Sequence, residues 1–142
     1  MHDFIFFDAV GDHVIKATSG FKECILCSPF VKLSALKTIL KNADTSATIV
    51  LVTKIDLDAF AQGVSDFAVL EEILSLGGRL FALQNLHVKY YRFDQNVFVG
   101  SANLTDKGMG WSEYPNFELL INRSLTEEEI GLEKKFQNLL SN

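Results

Sequence analysis

The chain contains 142 residues with a formal net charge of −5, and 48% of them are hydrophobic, including 12 Phe. This length suits one domain with a substantial core, and the hydrophobic content excludes a disordered chain. No apolar run reaches the roughly 18 residues that a membrane-spanning helix needs, and the start Met1-His2-Asp3-Phe4 lacks the basic lead-in of a secretory signal. We therefore expect a single cytoplasmic domain over residues 1–142, without a membrane anchor.

Strands and helices alternate through the first half of the sequence. Ser28 and Pro29 are typical of a helix N-cap and a first-turn proline, and Gly77-Gly78 is typical of a helix C-terminus. The pattern predicts strands over 3–7, 23–27, 47–52 and 79–83, and helices over 12–21, after Pro29 and around 67–74. The buried faces of the last two helices are expected to consist of Leu33, Leu36, Ile39 and Leu40, and of Phe67, Leu70 and Leu74.

The second half begins with two strands in close succession. Residues 87–93 and 97–101 are joined around Asp94-Gln95-Asn96, which predicts a hairpin. A further strand is expected over 116–121. Thr126 and Glu129 have the spacing of a capping box that opens a last helix, with a buried stripe of Leu132, Phe136, Leu139 and Leu140. The sum is an α/β fold, a three-layer α/β/α sandwich with a mixed β-sheet.

The two cysteines, Cys24 and Cys27, form a CxxC pattern, which raises the possibilities of redox chemistry and of zinc binding. On a strand, side chains three residues apart point to opposite faces. No second cysteine pair is present to complete a tetrahedral zinc site. We expect both cysteines to be buried structural thiols, and we expect no metal site here.

The sequence from His87 to Asn103 carries the most chemical information. On strands, His87 and Lys89 share one face, and Ser101 and Asn103 share another. If the hairpin pairs these faces, an imidazole, an ammonium, a hydroxyl and an amide converge on one pocket. Lysine binds phosphate as a point charge, serine and asparagine add directional donors, and a histidine can form a covalent intermediate. This combination indicates a site that holds and attacks a phosphate.

The pattern His87-x-Lys89-(x)4-Asp94 followed by Gly100-Ser101-x-Asn103 resembles the HKD signature of the phospholipase D superfamily. The resemblance implies a phospholipase D-like fold and phosphodiester cleavage, with His87, Lys89, Ser101 and Asn103 as catalytic residues. A later Asn-x-Glu also matches, which implies that Glu118 orients and polarises the imidazole. Glu113 is the alternative carboxylate. The spacing from Asp94 to Gly100 is one residue shorter than usual, which affects the expected register of Ser101.

Other residues near the motif have weaker assignments. Asp94 falls off the His/Lys face at the hairpin bend, so we expect it, with Gly100, to be structural rather than catalytic. Thr105 and Lys107 follow the second half of the motif and are expected to bind substrate. Trp111 and Tyr114 lie in the next loop, where they could equally stack on a base or pack the loop.

Members of the superfamily generally need two such motifs, and this chain has one. The resemblance is therefore best to single-motif Nuc-like nucleases and to nuclease domains of BfiI- and NgoFVII-type restriction endonucleases, which work as homodimers. It implies a metal-independent phosphodiesterase without a cofactor, acting on DNA or RNA in a shared active site. The local charge between Arg79 and Lys107 is +2, from four basic and two acidic residues, which suits local phosphate binding. The alternatives are a lipid-directed phospholipase D-like enzyme and a non-catalytic nucleic-acid-binding module of a restriction or defence system.

Overall fold

The structure, a computed structural model, describes residues 4–140, and for residues 139 and 140 it describes the backbone alone. The strands of the described chain are β1 (Phe4–Phe6), β2 (Glu23–Cys27), β3 (Thr48–Thr53), β4 (Arg79–Ala82), β5 (Tyr90–Phe93), β6 (Asn96–Gly100) and β7 (Leu120–Ser124). The helices are α1 (Val10–Lys16), α2 (Leu33–Leu40), α3 (Leu57–Ala61), α4 (Ala68–Ser75), α5 (Asp106–Met109) and α6 (Glu127–Leu140).

The described residues form one seven-stranded sheet in the order β1-β7-β6-β5-β2-β3-β4. Strands β2, β3 and β4 run parallel, because a helical connection separates each from the next. From β2 outward through β5, β6, β7 and β1, every neighbouring pair is antiparallel. The predicted mixed sheet is therefore confirmed.

Strand β2 shows how the sheet divides the core. Cys24 and Leu26 face a large cluster that includes side chains of α1, α2, α4 and α5. Ile25 and Cys27 face a smaller cluster on the opposite side, which includes Phe136 of α6. Helices thus cover both faces of the sheet, and the predicted three-layer α/β/α sandwich is confirmed.

Both cysteines are fully buried and unbonded to each other, as predicted. They lie on opposite faces of β2, so their sulfur atoms cannot share a ligand. Burial raises the pKa of each thiol to about 12, which keeps both sulfurs protonated and unreactive at neutral pH.

Several predicted helix features are wrong. Ser28 and Pro29 do not begin a helix, because α2 starts at Leu33 after the extended residue Lys32. In α4 the buried residues are Val69 and Ile73, whereas the predicted Phe67 and Leu74 are 63% and 61% exposed. Because α4 has apolar residues on several faces, its sequence pattern does not determine which face is buried. The short helices α3 and α5 were not predicted, and α1 covers Val10–Lys16 rather than 12–21.

In the second half of the chain, two of the observed strands begin later than predicted. Strand β5 begins at Tyr90, three residues later than predicted, and β7 covers Leu120–Ser124 instead of 116–121. Phe93 pairs with Asn96, so the hairpin turn is two residues long, with Asp94 in the left-handed region at φ 52°. The predicted strand 3–7 is observed over Phe4–Phe6, and Asp3 lies outside the described residues.

Helix α6 begins with the predicted capping box. The backbone amide of Thr126 donates to the Glu129 carboxylate at 2.6 Å, and the Glu129 amide donates to the Thr126 hydroxyl at 3.3 Å. Phe136 is buried and Leu132 packs against the same cluster, as predicted, whereas the side chains of Leu139 and Leu140 lie outside the described residues. No helix within residues 4–140 combines the length and apolar character needed to cross a bilayer.

A buried ionic network attaches α6 to the sheet. The guanidinium of Arg92 donates to both carboxylate oxygens of Glu133 at 2.7 Å, and the Tyr90 hydroxyl donates to the same carboxylate at 2.6 Å. Arg92 also donates to Glu23 at 2.9 Å. Burial alone would lower the pKa of Arg92, but the bonds to Glu133 and Glu23 outweigh it and raise that pKa above its ordinary value.

Replacing Glu133 by Ala should destabilise the protein by about 3–5 kcal/mol, because it leaves the buried Arg92 charge without its main partner. Urea unfolding followed by circular dichroism measures the change. Glu23→Ala is the matched control, since it removes the other partner of the same arginine. The Glu23 side chain is 54% exposed, so its loss should cost less than about 1 kcal/mol. Equal losses for both variants would contradict this ranking.

Candidate active site

The motif residues meet at one end of the sheet. Strand β5 begins there after Lys89, β6 ends there at Gly100, and β7 begins there at Leu120. The parallel strand β2 also ends there, because Cys27 pairs with Tyr90. Each side chain of the motif therefore lies in a segment just outside a strand, where neighbouring strands hold the backbone and the side chain does not pack within the sheet.

Gly100 joins three chain segments at this end. Its amide donates to the Lys89 carbonyl at 3.3 Å, and the next amide, of Ser101, donates to the Leu119 carbonyl at 2.9 Å. A Cβ at position 100 would lie 2.1 Å from the Leu119 carbonyl oxygen. Only glycine permits this approach, which brings the segment before β5, the end of β6 and the segment before β7 together.

The register of the hairpin differs from the predicted alternation of faces. Tyr90 pairs with Val99, so continuing the ladder would place Lys89 opposite Gly100 and Val88 opposite Ser101. A regular hairpin would therefore separate Ser101 from the face of Lys89. The strand ends at Gly100 and bends at Ser101, so the predicted strand parity does not govern Ser101 and Asn103.

His87 and Lys89 lie in the extended segment that leads into β5. Lys89 Nζ is 3.4 Å from Nδ1 of His87, the imidazole is exposed, and the lysine is half-buried. An ammonium only donates hydrogen bonds, so this contact makes Nδ1 the acceptor and leaves the proton of a neutral ring on Nε2. Imidazole and ammonium thus form one unit at the end of β5.

Ser101 and Glu118 form a second unit. The Ser101 hydroxyl donates to Glu118 Oε1 at 2.7 Å and accepts from the Leu119 amide at 2.9 Å. The Asn116 amide group donates to the other carboxylate oxygen at 3.2 Å. Within residues 4–140 no hydrogen bond joins Glu118 to His87, so the carboxylate expected on the imidazole lies on a hydroxyl and an amide instead.

The Asn103 side chain contacts Ser28, the residue that directly follows β2. The Ser28 hydroxyl lies 3.4 Å from the Asn103 amide oxygen, accepts from the Leu104 amide at 3.0 Å and donates to the Phe30 carbonyl at 2.7 Å. Sequence reasoning assigned Ser28 to a helix cap and so missed this contact. The available signal was its position immediately after the buried residues 24–27 of β2, where polar residues line the end of a sheet.

The remaining sequence-predicted residues have clear positions. The Asp94 carboxylate accepts from the amides of Lys22 and Glu23, both at 3.1 Å, and so anchors the hairpin turn to the start of β2. Thr105 caps α5, accepting from the Gly108 amide at 2.9 Å. Lys107 is exposed at the surface.

Trp111 and Tyr114, in the loop after α5, differ in how they contact the rest of the protein. The indole of Trp111 donates to Asp12 at 2.9 Å, and its ring packs on Gly11 so closely that a Cβ there would lie 2.5 Å away. Trp111 therefore packs the loop against α1. Tyr114 is 77% exposed, and Glu113, the alternative carboxylate, is exposed in the same loop.

Open clefts lie on either side of Asn116. One, of about 450 Å³, runs past Glu118 and Phe117 to Phe7. The other, of about 460 Å³, runs past Asn103 and Lys107 to Phe30. Among residues 4–140, no group of three or more His, Cys, Asp or Glu side chains is arranged to hold a metal ion.

Comparison with solved structures finds the same fold in proteins of low sequence identity. Nuc from Salmonella typhimurium, a phospholipase D family member, superposes with a TM-score of 0.70 at 17% identity, covering 96% of this chain and 92% of its own. The chain has a phospholipase D-like fold. NucT from Helicobacter pylori gives a TM-score of 0.64 at 13% identity, over 99% of this chain and 96% of its own.

Phosphatidylserine synthase from Haemophilus influenzae also contains the fold, with a TM-score of 0.73 at 10% identity. The match covers 99% of this chain but 37% of the synthase, so the chain corresponds to about a third of that protein. No protein-family model matches the chain, and no curated protein matches it in sequence. At these low identities, the superpositions establish the fold alone.

Replacing Gly100 by Ala should destabilise the protein by about 1–3 kcal/mol, because the new methyl group collides with the Leu119 backbone and forces the strands apart. Thermal unfolding measures the loss. Gly131→Ala is the matched control, since a Cβ there meets nothing within 4 Å and its exposed helical position should gain about 0.5–1 kcal/mol. A Gly100→Ala protein as stable as the wild type would contradict the assigned close approach.

Proposed function

We propose that this protein is a phosphodiesterase of the phospholipase D superfamily that cleaves nucleic acid strands. The observation that carries the proposal is the unit of His87 and Lys89, 3.4 Å apart, at the end of the sheet that also holds Ser101 and Asn103. The fold supports it, because the matches to Nuc and NucT extend over almost the whole of all three chains.

The proposed reaction proceeds in two displacements. Nε2 of His87 attacks phosphorus, forming a P–N bond while the P–O bond to the leaving oxygen breaks and that oxygen takes a proton from a general acid. Water then attacks the phosphohistidine, gives a proton back to the same group, and breaks the P–N bond. Lys89 and Asn103 stabilise the charge on the non-bridging oxygens throughout.

The mechanism requires a change of hydrogen-bond partners. Attack through Nε2 needs the ring proton on Nδ1, where a carboxylate should accept it. Glu118 is the proposed carboxylate, and in the free chain it accepts from Ser101 instead. A substrate phosphate oxygen would accept the hydrogen bond that the Ser101 hydroxyl donates to Glu118 in the free chain. Glu118 would then be available to accept from the imidazole. Glu118 is thus a positioning residue that binding makes available.

The proposed site requires two chains. In-line displacement places nucleophile and leaving group on opposite sides of phosphorus, so one His87 cannot serve both. A two-fold dimer supplies the second imidazole from an identical chain. Phe7, Phe117 and Leu119 are 58%, 86% and 40% exposed beside Glu118, and an exposed apolar surface of this kind is typical of an interface.

Nucleic acid is preferred over lipid as the substrate. The chain matches only about a third of the phosphatidylserine synthase. By contrast, its matches to Nuc and NucT cover nearly the whole of each of the two superposed chains. A non-catalytic binding module would need neither the His87–Lys89 unit nor the Glu118 carboxylate at the same end of the sheet.

The test of the chemistry is His87→Ala, which should lower cleavage of a labelled single-stranded oligonucleotide by at least about 10³-fold, because it removes the nucleophile. His13→Ala is the control, since His13 stacks on Phe6 at 3.8 Å, on α1, away from the motif. Circular dichroism checks that both variants are folded. Wild-type reactions with 5′-³²P-labelled and 3′-³²P-labelled substrates, quenched with SDS at alkaline pH because the P–N bond is acid-labile, should carry label on the protein from one of them. Full activity in folded His87→Ala would refute the assignment.

The same assay, run in excess EDTA, examines metal dependence. Lys89 and a protonated imidazole supply the positive charge in the proposed mechanism, so the rate should change less than twofold. Loss of cleavage in EDTA with recovery on adding magnesium would replace this mechanism by a metal-assisted one.

The dimer is tested with Phe117→Asp, which should raise the dimer dissociation constant by at least about tenfold, because it brings a carboxylate into an apolar contact. Leu74→Asp is the control, as Leu74 is 61% exposed on α4 at the other edge of the sheet. Sedimentation velocity over a dilution series gives the association state, and specific activity should fall with the dimer fraction. A monomer with full specific activity would mean that the second acid lies within the chain.

A further inference from the structure

We propose that the cleft beyond Asn103 binds the nucleotide adjacent to the scissile phosphate, with its base on Phe30 and Val64 and its phosphate on Lys107. This inference rests on the proposed function and names its substrate class more narrowly. A base that stacks on the cleft wall has left its own helix stack, so the preferred substrate is single-stranded nucleic acid.

The cleft continues directly from the catalytic groups. Asn103 and Asn116 line it, and Asn116 also donates to the Glu118 carboxylate at 3.2 Å. A strand whose phosphate is held by Asn103 therefore has one neighbouring nucleotide within reach of this space. Its volume of about 460 Å³ lies in the range of pockets that hold small organic ligands.

Hydrogen bonds fix both walls of the cleft in the absence of substrate. The segment 28–32 is joined to the motif loop, because the Lys32 amide donates to the Leu104 carbonyl at 2.9 Å. The segment 63–66 is joined to the same wall: the Val31 amide donates to the Ser65 hydroxyl at 3.0 Å, and the Asp66 amide donates to the Val31 carbonyl at 2.9 Å. A preformed cleft loses little entropy on binding.

The charges in the cleft assign the phosphate to Lys107. Lys32 forms a 2.9 Å ion pair with Asp66, and Asp106 accepts from the Ser34 hydroxyl at 3.2 Å. Burial alone would raise the pKa of Asp66, but hydrogen bonds from the Leu33 amide and from Lys32 outweigh it and hold that pKa below its ordinary value. Within residues 4–140, Lys107 forms no ion pair, and its exposed ammonium remains available for an anion.

The lining offers complementary surfaces for the rest of a nucleotide. Phe30 and Val64 provide an aromatic ring and an exposed apolar side chain, and base–aromatic stacking is independent of sequence because every base has a π-face.

The experiment measures kcat/KM of the wild type and of the Phe30→Ala variant with two substrates. One is a single-stranded oligonucleotide, and the other is bis(4-nitrophenyl) phosphate, a diester with no neighbouring nucleotide. The ratio of kcat/KM for the oligonucleotide to kcat/KM for the small diester should fall about tenfold, as expected for loss of one stacked base. Phe30→Tyr should restore the ratio, and Lys37→Gln, an exposed lysine of α2, should leave it unchanged.

The outcomes separate this inference from the proposed function. A wild type that cleaves both substrates, with the same ratio in Phe30→Ala, refutes the cleft assignment and leaves the phosphodiesterase intact. A wild type that cleaves neither refutes the proposed function. The cleft is then tested by fluorescence anisotropy of a labelled oligonucleotide, where Phe30→Ala and Lys107→Gln should each weaken binding by about fivefold or more, and unchanged binding refutes it.

The strand preference provides a second readout. The wild type should cleave a single strand at least about tenfold faster than the same sequence in a duplex, because unstacking and unpairing a base costs a few kcal/mol. Phe30→Ala should reduce this preference, because a base that leaves its own strand can no longer stack on the Phe30 ring. Equal rates on both substrates would exclude a base seated in the cleft.

Discussion

The absence of a side chain at Gly100 is the constraint on which the candidate site depends. Because the Leu119 carbonyl occupies the space of a Cβ at that position, β6 can end in contact with the segments before β5 and β7. Lys89 and Ser101 take part in the backbone hydrogen bonds of this junction, and Glu118 directly precedes Leu119. The distances among the polar groups thus follow from backbone hydrogen bonds, which hold more firmly than contacts between long side chains.

Strand β5 is also fixed from both faces of the sheet. On one face Arg92 and Tyr90 bind Glu133 of α6, and on the other the buried Tyr91 hydroxyl donates to the Ala102 carbonyl at 2.6 Å. Burial raises the pKa of both tyrosines, so their hydroxyls remain donors at any physiological pH. The bond to Ala102 ties β5 to the middle of the Ser101–Asn103 segment, which explains how an irregular loop can serve as a positioned part of a site.

The fold class could be predicted from the sequence, because it follows from local patterns. Alternating elements gave the three layers, and the run 23–27 was assigned to its strand without error. The prediction failed where tertiary contacts decide. Alternation along strands would separate Ser101 from Lys89, but the strand ends at Gly100 and the chain bends at Ser101, so the alternation does not apply there. Likewise, Ser28 has the residue type of a helix cap but binds the motif loop, a contact between residues 76 positions apart.

The hydrogen bonds of the free chain also bear on how two identical histidines could perform different tasks. In each chain the Nδ1 lone pair faces the ammonium of Lys89, and Glu118 is occupied by Ser101, so neither imidazole begins with the carboxylate that a nucleophile requires. In the proposed dimer the two sites start equal, and substrate must distinguish them. A nucleic acid strand has a direction, so with its phosphate on the two-fold axis of the proposed dimer, its 5′ and 3′ neighbouring nucleotides would enter the clefts of different subunits in different orientations. In the proposed mechanism, strand polarity would then determine which Glu118 is released from its Ser101 first, and therefore which histidine attacks and which protonates the leaving oxygen.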